Sequence, residues 1–281
     1  MVLALVSAAC SPGEGLSQPK LLRIGILPDQ GRDRLIERYT PLADYLAEEL
    51  GVPVKIRIPR SYDRLLKLFH DKEVDLAYFG GITFVQANLR SGAMPLVMRD
   101  IDAKFTSYFI VRAEETAKSI GDLAGRRLSF GSPLSTSGHF MPRYFMRQSK
   151  IIPEDFFGDI IYSGAHDRTA FLVRDGKADL GVANSAVIDT MIEDGRLRPN
   201  EIRVLWQTPP HADYVWSLRS GFNKKFVNRL RDTFLGLSRQ NAHQAKILRR
   251  LGARIFLPAS LNDFVQLKVL FNEMSARKLG N

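Results

Sequence analysis

From residue 21 onward, short apolar runs suited to strands alternate with longer stretches whose apolar residues recur at helical spacing. LLRIGIL (21–27) predicts a strand ended by Pro28. Leu35, Ile36, Tyr39, Leu42, Tyr45, Leu46 and Leu50 then share one face of a helix that Gly51 stops. VPVKIRI is a second strand, and SYDRLLKLFHDK a helix with Ser61 as its N-cap. VDLAYFG, PLVMRDI and TSYFIVR continue the strands, with the helix ITFVQANLR after the first of them. The rhythm restarts at SIGDLAG, where RLSFG, DIIYSG, ADLGVA and IRVLWQT are strands set between helices, and YVWSLR follows as one more strand. Beyond residue 219 the pattern predicts helices alone.

Such alternation predicts an α/β fold with mostly parallel sheets flanked by helices. Two series, each with its own apolar strands, predict two lobes: residues 21–108 with 216–281, and an inserted lobe at 109–215. Strand-like runs near 106–112 and 213–219 are expected to link them as a hinge. A cleft between lobes, at the carboxyl ends of the strands, is where a ligand binds in this architecture.

Residues 1–20 stand apart. MVLALVSAAC is an apolar run closing on small residues and the only cysteine, Cys10, and SPGEGLSQPK follows as a linker. The run resembles the end of a bacterial lipoprotein signal, with Cys10 as the lipidated residue; the alternative is a tail with an incidental cysteine. The lone cysteine leaves no disulfide to report on the compartment. No segment reaches the roughly 18 apolar residues of a membrane-spanning helix.

The formal net charge is +10, and much of the excess lies at Lys224, Lys225, Arg229, Arg231, Arg239, Lys246, Arg249 and Arg250. Helical spacing makes these a solvated face rather than a nucleic-acid surface, and the same charge attracts small anions.

GSPLSTSGHFMP (131–142) joins a strand-like run to a helix-like one. A helix starting near Thr136 leaves the first N–H groups without partners, and the hydroxyls of Ser135, Thr136 and Ser137 add donors. Gly138 permits close approach. The stretch is either a plain N-cap or a socket for a tetrahedral oxyanion. His166, in SGAHDRT, falls on the same sheet edge, and Tyr62 occupies the matching turn of the first lobe. Each has a structural alternative, the histidine as a cap and the tyrosine as a core contact. Phe79, Gly80 and Gly81 end a strand at the expected cleft edge.

No GxSxG, HExxH, P-loop or GxGxxG pattern is present. His70, His139, His166, His211 and His243 show no metal spacing, and one cysteine excludes cysteine-based zinc sites. No cofactor is called for, and an enzyme would need a nucleophile for which only Asp29 and Asp167 are nearby acids.

LLRIGILP, RYTPLADYLAEELGVPVKI, SYDRLL, VDLAYFG, STSG-x-x-x-P and G-x-H-[DE] together resemble the phosphonate- and phosphate-type periplasmic substrate-binding proteins of ABC importers. The likeness runs from about residue 21 through nearly the whole chain. It implies a two-lobe Venus-flytrap fold of the type II periplasmic kind, closing on an oxyanion. It also implies that Tyr62, Ser135, Thr136, Ser137 and His166 contact the ligand. Phe105 falls where some members have a ligand-binding tyrosine, so that hydroxyl is lost or is supplied by a neighbour such as Ser107. Members taking amino-bearing ligands place carboxylates near Asn184–Ala186 and near HADYVW. Here the first run is NSAV, without an acid, and Asp213 or Tyr214 stands at the second. An ammonium ion in a closed cleft needs a carboxylate. The resemblance, so read, implies phosphate, phosphite or a simple alkylphosphonate, bound by a monomer in the periplasm or at the outer face of the cell membrane. The partner is then an ABC permease, or a sensor kinase if occupancy is signalled instead.

Overall fold

The computed structural model describes residues 18–278, with side chains through Met274. Cys10 and the segment before Gln18 lie outside the described residues. The chain opens with β1 (Leu22–Ile26), α1 (Arg32–Leu50), β2 (Val54–Arg57), α2 (Tyr62–His70), β3 (Leu76–Phe79), α3 (Gly81–Ser91) and β4 (Met94–Arg99). On α1, Leu35, Tyr39, Leu42, Leu46 and Leu50 are buried at the spacing that fixes one helical face, and Gly51, at φ 62°, ends the helix left-handed. Ser61 caps α2 by accepting the Arg64 N–H.

A second sheet is then built from β5 (Ser107–Arg112), β6 (Arg127–Phe130), β7 (Asp159–Tyr162), β8 (Leu180–Asn184) and β9 (Ile202–Gln207). Between its strands lie α4 (Met141–Gln148), α5 (Pro153–Phe156), α6 (His166–Arg174) and α7 (Ser185–Glu193). The chain returns to the first sheet through β10 (Val215–Leu218), α8 (Lys224–Leu235), α9 (Ala242–Arg250), β11 (Phe256–Pro258) and α10 (Val265–Lys278).

The strand orders are β11-β4-β10-β3-β1-β2 and β7-β6-β8-β5-β9. β1, β2 and β3 run parallel, as do β6, β7 and β8, while β10 and β5 enter antiparallel to their neighbours. The sheets are therefore mixed, and two of the antiparallel members, β5 and β10, are the strands through which the chain changes lobe. The runs predicted as free links are thus strands of the sheets they lead into. The actual crossings are the short segments before β5 and before β10, which pair with each other at Phe105 and His211. The expectation of helices alone after residue 219 is corrected by β11, an edge strand held by β4.

One core surrounds the six-stranded sheet, and two smaller ones cover the faces of the five-stranded sheet. In both lobes a glycine draws in the helix whose first residue points at the cleft. A Cβ on Gly25 of β1 would meet Leu65 of α2 at 2.5 Å, and one on Gly181 of β8 would meet Val173 of α6 at 2.6 Å. That close approach sets the depth of the N-terminal residues Tyr62 and His166.

Candidate functional site

β6 ends at Phe130, and the chain turns through a single π-helical turn, Thr136–Phe140, before α4 begins. Ser135 Oγ accepts the Gly138 N–H at 2.9 Å, and the Gly131 N–H donates to the Gly138 carbonyl at 2.9 Å, which closes the loop on itself. The first N–H groups of such a turn have no partner within it and carry its positive end. Ser137 Oγ is buried without a hydrogen bond, and the Tyr62 hydroxyl, facing Ser135 from the other lobe, is likewise buried and unpaired. Buried hydroxyls left without partners are costly, by about 1–3 kcal/mol each, unless something completes them. Two such groups converge here beside unpaired main-chain donors.

Asp213 closes this socket from the first lobe. Its Oδ1 accepts the Gly81 N–H at 3.1 Å, and its Oδ2 has no partner. Burial pushes the carboxyl up to about 7, against the pull of the Gly81 N–H. Gly80 leaves room for this arrangement, since a Cβ there would lie 3.3 Å from Asp213 Oδ1 and 3.4 Å from Thr136 Oγ1.

Behind the turn runs a polar chain shared by both lobes. The Tyr214 hydroxyl donates to Asp29 Oδ2 at 2.9 Å and accepts from Asn184 Nδ2 at 3.2 Å. His166 Nδ1 accepts the Asn184 main-chain N–H at 3.2 Å, so the ring proton sits on Nε2, 3.4 Å from the Tyr214 oxygen. Burial holds this imidazole neutral, with its pKa lowered to about 3. Asp29 Oδ1 has no partner, and burial pushes the Asp29 carboxyl up to about 6, with Arg38 and the Tyr214 hydrogen bond pulling the other way.

Other bonds fasten the lobes together. Thr136 Oγ1 accepts the Ile82 N–H at 3.0 Å, Asp167 Oδ2 accepts the Gly31 N–H at 2.7 Å, and the His166 N–H donates to the Asp29 carbonyl at 2.9 Å. The cleft is closed.

Most residues anticipated from sequence therefore meet at one place, in several distinct positions. Ser135, Ser137 and Tyr62 surround the socket, and Thr136 spends its hydroxyl across the gap. His166, Asn184 and Tyr214 form the wall behind it, Asn184 also capping α7 through the Val187 N–H. Phe105 lies in the hinge with its ring 5.7 Å from that of Tyr214. The Ser107 N–H donates to Thr208 Oγ1 at 2.9 Å, and its own buried Oγ has no partner. Phe79 is corrected. Its ring packs in the core 5.1 Å from that of Phe69, because strand alternation turns Tyr78, not Phe79, toward Tyr214. Asp213 was one of two candidates for a single place. Both occupy the site, Asp213 on the socket and Tyr214 behind it. Asp29 and Gln30, which follow β1, also reach the cleft, and their signal was only their place at a strand's carboxyl end. Among the described residues no cluster of acids, histidines or cysteines could hold a metal ion.

Residues 24–264 match the family described as ABC transporter, phosphonate, periplasmic substrate-binding protein. Over 271 residues the chain is 31% identical to PhnD1 of Prochlorococcus marinus, described as a probable ABC transporter phosphite binding protein, covering 92% of this chain and 91% of that one. A phosphate-import protein, PhnD, of Mycolicibacterium smegmatis is 27% identical, over 83% of this chain and 78% of its own. Among solved structures, Prochlorococcus marinus PhnD1 in complex with methylphosphonate superposes with a TM-score of 0.86 at 30% identity, covering 92% of this chain and 99% of that one. The binding component of an ABC phosphonate transporter from Pseudomonas aeruginosa shares the fold, with a TM-score of 0.82 at 19% identity over 90% of this chain and 86% of its own.

Proposed function

Because the chain belongs to the periplasmic phosphonate-binding proteins of ABC transporters, we propose that it captures a compact phosphorus oxyanion outside the cytoplasm and delivers it to a membrane permease. The ligand is phosphate, phosphite or a simple alkylphosphonate. The observation that carries this reading is the convergence of the unpaired Ser137 and Tyr62 hydroxyls on the N-terminal end of the 136–140 turn, with the free Asp213 oxygen opposite them.

The division of labour follows from the donors. Main-chain N–H groups of the turn, with Ser137 and Tyr62, receive the oxyanion's bare oxygens. Asp213, as a carboxylate beside an anion, requires a proton between the two, and with its own pKa near 7 it shares one with a protonated oxyanion. Sulfate carries no such proton at neutral pH and is repelled. His166 contributes shape and orientation while remaining uncharged, so the anion is neutralised by dipoles and by the protein's net charge of +10. Closure of the lobes then excludes water from the ligand.

The receptor acts as a monomer, with Cys10 as its lipid attachment point. Palmitate labelling that survives Cys10→Ser would remove that anchor from the reading. The main test is a melting-temperature screen with phosphite, phosphate, methylphosphonate and sulfate. A ligand that binds only the folded state raises the melting temperature with its excess over Kd. At least one phosphorus oxyanion is expected to stabilise the protein at micromolar concentration, and sulfate is not. No shift with any phosphorus oxyanion at millimolar concentration overturns the function.

A further inference from the structure

Two cavities flank the socket. The one behind Tyr214, about 270 Å³, sets Asp29 and Glu193 among Arg38, Arg99, Arg249 and Arg250. The one on the Tyr62 side, about 650 Å³, is lined from both lobes and carries Arg32, Arg60 and Arg168 against Asp63, its one acid among the described residues. It lies beside the residues that lead into the socket. Tyr62 borders it, Ser132 and Pro133 lead into the turn at Ser135, and Ala165 precedes His166.

Two further observations make this cavity more than a basic surface. Gln30, which is 5% exposed, lines it with a buried Nε2 that has no acceptor. Among the described residues the side chains of Arg60 and Arg168 make no hydrogen bond or ion pair, whereas Arg32 donates to the Ile58 carbonyl at 2.7 Å. Donors therefore face the cavity from β1's exit, from the loop before α2 and from the first turn of α6, and none has an acceptor. An apolar tail would leave them unsatisfied, and an ammonium tail would meet like charge.

We propose that this cavity is a subsite for an anionic substituent on the ligand, so that the protein binds phosphonates bearing a carboxylate a few bonds from phosphorus more tightly than their neutral isosteres. The phosphonate group occupies the Ser135–Ser137 socket, the substituent passes Tyr62, and the carboxylate accepts from Gln30, Arg60 and Arg168. The inference rests on the oxyanion-receptor reading above and extends its ligand class to phosphonates with an anionic substituent.

Titration calorimetry on the intact protein tests it with methylphosphonate, propylphosphonate, phosphonoacetate and 3-phosphonopropionate. At least one of the two carboxylates is expected to bind about tenfold or more tighter than propylphosphonate, the effect of a charge-assisted hydrogen bond. The double substitution Arg60→Gln/Arg168→Gln, on exposed side chains, is expected to erase that advantage while changing methylphosphonate affinity less than about threefold. Carboxylates that bind no tighter than propylphosphonate overturn the proposal. So does a double variant that weakens methylphosphonate and 3-phosphonopropionate by the same factor, which is the signature of a general positive field. If methylphosphonate, phosphite and phosphate all fail to bind, the receptor reading falls, and this proposal with it. If they bind and the carboxylates show no preference, only the proposal falls.

Discussion

Thr136 Oγ1 receives the Ile82 N–H at 3.0 Å, so the first hydroxyl-bearing residue of the turn in one lobe holds the start of α3 in the other. The bond exists only while the lobes are together. Thr136→Val keeps the shape and leaves a buried N–H without an acceptor, at about 1–3 kcal/mol. The variant is expected to bind methylphosphonate or phosphite about ten- to a hundredfold more weakly and to show a larger radius of gyration by small-angle scattering. An unchanged affinity would mean that the bond does not contribute to closure.

Asp213 gives affinity a pH dependence. In the closed cleft burial pushes the Asp213 carboxyl up to about 7, close to where these oxyanions lose their last proton. Above both values the bound state still needs one proton that neither free partner carries. Affinity is therefore expected to fall, by up to about tenfold per pH unit, from pH 7.5 to 9. Asp213→Asn supplies its own hydrogen and should flatten the profile. A wild-type Kd constant across that range would exclude the shared proton.

Tyr214 and Asp29 couple to stability. Asp29 holds its proton to about pH 6 in the folded protein and to about 3.8 in the unfolded chain, so it favours folding fully below about pH 4. That contribution is lost as pH rises through about 6. Tyr214→Phe removes the donor to the ionised form and strands Asp29 Oδ2. Urea denaturation at pH 8 should show a loss of about 1–3 kcal/mol, and a smaller one at pH 5, where Asp29 is mostly neutral. Equal losses at both pH values would refute the coupling.

Gly138 sits where a Cβ would be 2.8 Å from His166 Cε1 and 2.9 Å from Ser135 Oγ. Gly138→Ala must displace the imidazole or the cap. Overpacking of this kind costs about 1–3 kcal/mol. A lower melting temperature is expected, together with at least tenfold weaker oxyanion binding by calorimetry. Full affinity with a normal melting temperature would mean that the wall yields easily.

Asn184 spends its amide on the α7 cap and on Tyr214, so no carboxylate stands where an aminoalkyl ligand needs one. 2-Aminoethylphosphonate is expected to bind at least tenfold more weakly than methylphosphonate in a competition titration. The reverse order would show that Asp29 or Asp213 accepts the ammonium.

The elements that build the socket were legible because their signals are local. A strand period of two gives way to a helical period at RLSFG and STSGHFMP, and again at DIIYSG and HDRTAFLV, which places Ser135 and His166 on one sheet edge. What stayed hidden depends on partners distant in sequence. Nothing around Thr136 announces Ile82, which is 54 residues away. The crossing segment before β10 has no periodicity, so no local signal separates Asp213 from Tyr214; the contact of Asp213 with the Gly81 N–H does. Phe79 looked like a cleft residue because it ends a strand, yet strand alternation points it at Phe69. β11 is three residues long and exists only as an addition to β4.

The two crossings are not independent tethers. The Phe105 N–H donates to the His211 carbonyl at 2.7 Å and the His211 N–H donates back at 2.8 Å. A ribbon of two cross-linked plies flexes readily perpendicular to its surface and resists shear and torsion within it. Bending across that ribbon is the motion this pairing opposes least.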